Sequence, residues 1–73
     1  MVNKLPAELR AARKDAGLTL REAAQRAGVG AGALSMLERG QRRPSLGTLI
    51  ALGRALDARI VIDPAGVSVS REA

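Results

Sequence analysis

The side chains that could do chemistry in this 73-residue chain are mostly cationic, and they crowd into its first part. Residues 1–43 hold Lys4, Arg10, Arg13, Lys14, Arg21, Arg26, Arg39, Arg42 and Arg43 against only Glu8, Asp15, Glu22 and Glu38. Residues 44–73 balance Arg54, Arg59 and Arg71 with Asp57, Asp63 and Glu72, so the whole net charge of +5 sits on the first part. That asymmetry points to a polyanion, nucleic acid above all, as the partner. The blander alternative is a solvated, Arg-rich surface. Histidine and cysteine are absent, which removes the usual transition-metal ligands, thiol nucleophiles and disulfides. No serine stands beside a plausible base, and no glycine-rich phosphate loop follows a strand. The residues therefore offer no catalytic constellation, and neither a metal nor a cofactor is expected. What remains is contact chemistry, with guanidinium groups placed to grip phosphate oxygens.

Two short helices joined by a glycine turn must position these cations. Thr19 caps the first helix, and Glu22 completes a Thr-x-x-Glu capping box. Leu20, Ala23, Ala24 and Ala27 fall on one face, and the three alanines let a second helix cross closely. Gly28 suits the left-handed position that ends such a helix. Residues 31–39 form the second helix, with Leu34 and Leu37 inward, and Gly40 stops it. Two helices set steeply about a glycine turn make the helix-turn-helix geometry, in which the second helix enters the major groove.

The flanking elements follow from similar signals. Residues 1–5 read as a loose start, and Pro6 suits the first turn of a helix that Gly17 closes. Leu5, Leu9, Ala12 and Ala16 give that helix an apolar stripe. Arg10 and Lys14 lie four apart on an exposed face and either touch phosphate or are simply solvated. Gln41 to Pro44 is a polar, basic loop that sets Arg42 and Arg43 beside the end of the second motif helix. Ser45 caps a helix over residues 46–56, whose apolar positions are Leu46, Leu49, Ile50, Leu52, Gly53 and Leu56. That face is broad for a small bundle, so it serves either the core alone or also a second protomer.

After residue 57 the period changes. Residues 58–63 alternate, with Ala58, Ile60 and Ile62 on one side; Pro64-Ala65-Gly66 is turn chemistry, and residues 67–70 alternate again. Either a hairpin forms, or only residues 59–63 are a strand. A lone two-stranded hairpin is barely stable in water, and an open strand edge invites pairing. Ile60, Val61 and Ile62 are therefore candidate dimerisation residues, and residues 71–73 read as a disordered tail. With no aromatic residue, the core must be aliphatic and is marginal at this length. No apolar run is long enough to span a membrane, and the first residues lack a signal-peptide core, so the expected location is the cytoplasm.

The run from Leu18 to Val29, followed by Leu34-Ser35-Met36-Leu37-Glu38-Arg39-Gly40 and the later Pro44-Ser45-Leu46, resembles the Cro/C1 (XRE) helix-turn-helix family over roughly residues 5–57. The resemblance implies a mainly α, lambda-repressor-like domain of four helices over residues 1–57. A short C-terminal strand or hairpin over 58–70 would replace the family's usual fifth helix and join two protomers. That replacement is similar to antitoxins of the HipB group. The resemblance further implies a buried ion pair between Arg13 and Glu38. It places Ala31, Gly32, Ser35 and Met36 against base edges and Arg39 against the backbone, and the basic loop and first motif helix add Arg42, Arg43, Arg21 and Arg26 as further candidate backbone contacts. Leu20 departs from the family's phosphate-binding glutamine. Residues 30–33 offer no polar side-chain atom, which shifts specificity toward Ser35, Met36 and DNA shape. The implied function is a sequence-specific, dimeric repressor binding double-stranded operator DNA, and in its sharpest form an antitoxin that also binds a toxin protein. The competing expectation is a protein-interaction module that binds an acidic partner without reading DNA.

Overall fold

The computed structural model describes residues 4–71. Helices α1 (Leu5–Asp15), α2 (Leu20–Ala27), α3 (Ala31–Glu38) and α4 (Leu46–Leu56) precede strands β1 (Arg59–Asp63) and β2 (Gly66–Ser70). The chain is thus the mainly helical, four-helix domain with a C-terminal hairpin that its sequence leads one to expect.

Local chemistry sets most helix ends. In α2 the Thr19 hydroxyl accepts from the Glu22 N–H at 3.1 Å, and the Glu22 carboxylate accepts from the Thr19 N–H at 2.9 Å. Gly28 ends that helix at φ +72°, where a side chain would be strained. Ser45 caps α4 by accepting from the Thr48 N–H at 3.2 Å. Helix α1 begins earlier than expected. Leu5 is its first residue and is buried, so it belongs to the core rather than to a loose start; Pro6 in the first turn loses no helical hydrogen bond there. Residues 1–3 of that expected start lie outside the described residues.

Helix α3 is weak by local chemistry. Its N-cap is Gly30, with no side-chain cap and no acid in its first turn. Gly32 lowers its intrinsic stability by about 1 kcal/mol relative to alanine. Tertiary contacts hold it instead, through Leu34 and Leu37, which are 1% and 4% exposed.

The core gathers Leu5, Leu9, Leu18, Leu34, Leu37, Leu49, Leu52, Leu56 and Val69 with Ala12, Ala23 and Ala24. Helix α2 packs against α3 and α4, and α1 against α3 and β2. Buried Ala23 and Ala24 keep α2 close to its neighbours. The apolar face expected for α4 divides. Leu49, Leu52, Gly53 and Leu56 are buried, whereas Leu46 and Ile50 stay 58% and 47% exposed.

Strands β1 and β2 pair antiparallel, with Ile60 opposite Val69 and Ile62 opposite Val67. These four share one face. Three of them lie on the protein's own core, with Val69 buried and Ile60 and Val67 packed against the cluster, while Ile62 at the turn end stays exposed. The hairpin is therefore part of the domain rather than an appendage, which removes the single-strand alternative. Asp63 steadies the turn by accepting from the Ala65 N–H at 2.8 Å, and the Val69 N–H donates to Glu8 at 3.2 Å. Arg71, expected in a disordered tail, is instead anchored. Its guanidinium donates to the Leu56 carbonyl at 3.0 Å and to the Asp15 carbonyl at 2.9 Å, tying the ends of α4 and α1 together. Both carbonyls belong to last helical turns that lack intrahelical partners. Residues 72 and 73 of that tail lie outside the described residues.

Candidate nucleic-acid interface

Helix α3 is fixed from behind by an ion pair. The Arg13 guanidinium donates to both Glu38 oxygens, from Nε at 2.8 Å and from Nη2 at 3.0 Å. Its third contact, from Nη1, goes to the Leu18 carbonyl at 3.0 Å. The two side chains are only 13% and 7% exposed. The hydrogen bond to Glu38 holds the Arg13 pKa above its ordinary value; burial works against that rise and the charge attraction adds to it. One side chain thus ties α1, the α1–α2 loop and the end of α3. The pair is structural and leaves neither charge for a ligand.

The outer face of α3 carries little polar chemistry. Gly32 is exposed and open around its Cα. Met36 is 37% exposed, and Ser35 is half-buried. Ala31 packs partly against the core, so its methyl is only partly available. Arg39 is exposed, and its Nε donates to the Ser35 carbonyl at 3.3 Å, which turns the side chain back along α3. Arg42 and Arg43 are exposed on the loop before Pro44. They line a cleft of about 260 Å³ with Ala33, Leu37 and Thr48. Arg21 and Arg26 are exposed on α2. The sequence-predicted set therefore divides into a nearly bare reading helix and a group of exposed arginines around it.

Of the candidate dimerisation residues, Ile60 is half-buried. Its side chain packs partly on the protein's own Gly53, where an added Cβ would stand 3.2 Å from Ile60 Cγ1. Val61 is half-buried, and Ile62 is 62% exposed. Arg10 and Lys14, which the sequence set on one exposed face, line a cleft of about 580 Å³ between α1 and the end of α3 together with Arg39, which no sequence signal placed beside them.

The sequence profile described as Helix-turn-helix matches residues 9–61. The chain belongs to the Cro/C1-type helix-turn-helix family. The match runs from inside α1 to inside β1, so it takes in the later part of α1 and all of α2, α3 and α4, and stops short of β2. A curated relative is 42% identical over 57 residues: the uncharacterised HTH-type transcriptional regulator y4dL of Sinorhizobium fredii. The alignment takes in 78% of this chain but only 29% of that protein's length. Among solved structures, the restriction-modification controller protein C.AhdI of Aeromonas hydrophila superposes with a TM-score of 0.72 at 35% identity. It covers 74% of this chain and 82% of its own. The clp gene regulator ClgR of Corynebacterium glutamicum gives 0.70 at 44% identity, covering 74% of this chain and 70% of its own. This Cro/C1-type domain therefore shares its lambda-repressor-like fold with transcription regulators. Among the described residues, no helix is long and apolar enough to cross a membrane.

Proposed function

We propose that the domain is the DNA-reading part of a dimeric transcriptional repressor bound to a two-fold symmetric operator. The observation that carries this reading is the setting of α3. Its exposed face is bare, at Gly32 and Met36, and exposed Arg39, Arg42 and Arg43 stand at its C-terminal end. A bare helix can lie deep in the major groove while arginines grip the backbone beside it. Phosphate contact then supplies most of the affinity, and Ser35, Met36 and DNA shape supply the sequence preference.

A second copy of the chain accounts for the remaining exposed apolar residues. Leu46 and Ile50 stand one turn apart on α4, and Ile62 lies on β1, a strand at the edge of the two-stranded sheet. Arg54 and Arg59 balance Asp57 and Asp63 in this part of the chain, so two copies can meet there without a net like-charge penalty. Two linked reading helices would then address successive major grooves about 34 Å apart.

Selection of bound duplexes from a random pool tests the reading: a palindrome with half-sites one helical turn apart is the expected result. Arg42→Ala with Arg43→Ala should weaken operator and random duplex alike. No duplex binding at low salt would end the proposal. For the dimer, Ile50→Glu should give a folded monomer in sedimentation, and an intact dimer would place the contact elsewhere. Deleting the hairpin would not make this test, because Val69 belongs to the monomer's core.

A further inference from the structure

Helix α1 carries a surface that the reading above leaves unused. Ala7, Arg10, Ala11 and Lys14 are all exposed, and their spacing of three, one and three puts them on one face of the helix. That face lines a cleft of about 580 Å³ with Pro6 and with Glu38, Arg39 and Gly40 at the end of α3. The one carboxylate in the cleft, Glu38, has both oxygens held by Arg13. Neither the Arg10 nor the Lys14 side chain has a hydrogen-bond or ion-pair partner among the described residues. The cleft therefore carries three cations, Arg10, Lys14 and Arg39, with its only acid already neutralised.

We infer that this cleft is a second seat for the DNA backbone, in which Arg10 and Lys14 hold phosphates of one strand beside the major groove entered by α3. The inference rests on the DNA-binding reading and extends its footprint from the motif to the first helix. Ala7 and Ala11 leave room for a sugar-phosphate chain to approach α1 closely. Arg10 offers a planar fork and Lys14 a point charge for phosphate oxygens. Arg39 joins this cleft to the reading helix without a break in positive charge. An acidic protein fits less well, because the face has no aromatic or large aliphatic anchor of the kind that carries protein–protein contacts. A phosphate seat also answers the lack of polar readers on α3, since backbone contacts fix the register in which the few base contacts are made.

The test is the salt dependence of binding by the full chain, on its selected operator and on a random duplex. Arg10→Gln with Lys14→Gln should make the slope of log K against log salt shallower by about 1.8 per bound protomer, at about 0.9 for each lost phosphate contact. The affinity loss should be the same fold-change on both duplexes. Arg10→Lys should keep most of the slope. Lys4→Gln, at an exposed lysine ahead of α1 that does not line the cleft, should leave it near that of the parent. A double variant with the parent's slope overturns the cleft and leaves the DNA-binding reading standing. A slope change no larger per charge than that of Lys4→Gln, or a loss confined to the operator, overturns it as well. If the parent chain binds no duplex at low salt, the DNA-binding reading fails and the cleft fails with it.

Discussion

Replacing Arg13 with methionine should cost more stability than any substitution on the outer face of α3. The change removes all three hydrogen bonds that link α1, the α1–α2 loop and α3. It leaves a Glu38 carboxylate that is only 7% exposed without its partner, and it orphans the Leu18 carbonyl. Removing one member of a buried pair costs about 3–5 kcal/mol. The residual exposure of both groups argues for the lower end, about 3 kcal/mol. A domain of this size holds roughly 4–11 kcal/mol in all, so the loss is a large share. It corresponds to a fall of about 12–24 °C in Tm at about 4–8 °C per kcal/mol. Glu38→Gln keeps one acceptor for the guanidinium and should cost less, about 1–2 kcal/mol. Arg13→Met with Glu38→Leu removes both charges and should recover most of the loss, since an apolar pair of similar volume is often neutral. The assay is urea unfolding followed by circular dichroism at one fixed protein concentration, so that any dimerisation contributes equally. An unchanged m-value would confirm that stability alone has moved. A loss below about 1 kcal/mol for Arg13→Met, the value of an exposed pair, would refute the reasoning. So would a double variant no better than the single.

Four further outcomes are expected. Gly53→Ala should destabilise by about 1–3 kcal/mol by overpacking, because its Cβ would meet the Ala58 carbonyl at 3.1 Å and Ile60 at 3.2 Å. Gly47→Ala, with only Ser45 Oγ at 4.0 Å, should stabilise by up to about 1 kcal/mol, and equal effects in urea unfolding would show that the hairpin is not seated on α4. The Glu22 carboxyl is held below its ordinary value of 4.5, first by the Thr19 N–H and then by the Thr19 side chain. A depressed carboxylate stabilises the fold above its unfolded pKa, and that contribution is lost as pH falls through the lower folded value. Glu22→Gln should therefore flatten the acid limb of stability against pH, and an acid limb identical to the parent's would contradict the cap's role. Met36→Ala should change the ranking of selected sequences more than the affinity for random DNA; an unchanged ranking would take Met36 off the reading face.

The helix frame was legible because its signals are local. Thr19 and Glu22, Ser45 and Thr48, and Gly28 act on backbone within a few residues, so residue type and short spacing suffice to place the caps and the turn. The inward Leu34 and Leu37 follow from periodicity for the same reason. The tie between Arg13 and Glu38 is different in kind. The two are 25 positions apart, and neither periodicity nor charge pattern links them; family resemblance suggested the pair, and the folded chain supplies its geometry.

By itself, the sequence determined the four helices, the glycine turn, the alternating tail and the concentration of positive charge in the first part of the chain. Tertiary structure alone decided which of the apolar residues in α4 are buried, since Leu49 and Leu46 look alike until a neighbour covers one of them. It also decided that the hairpin closes the core of its own protomer, through Val69, Ile60 and an Arg71 contact spanning 56 positions. The cleft of Arg10, Lys14 and Arg39 arose in the same way. Burial and charge convergence are properties of surfaces brought together across the chain, and the order of residues within one helix does not encode them.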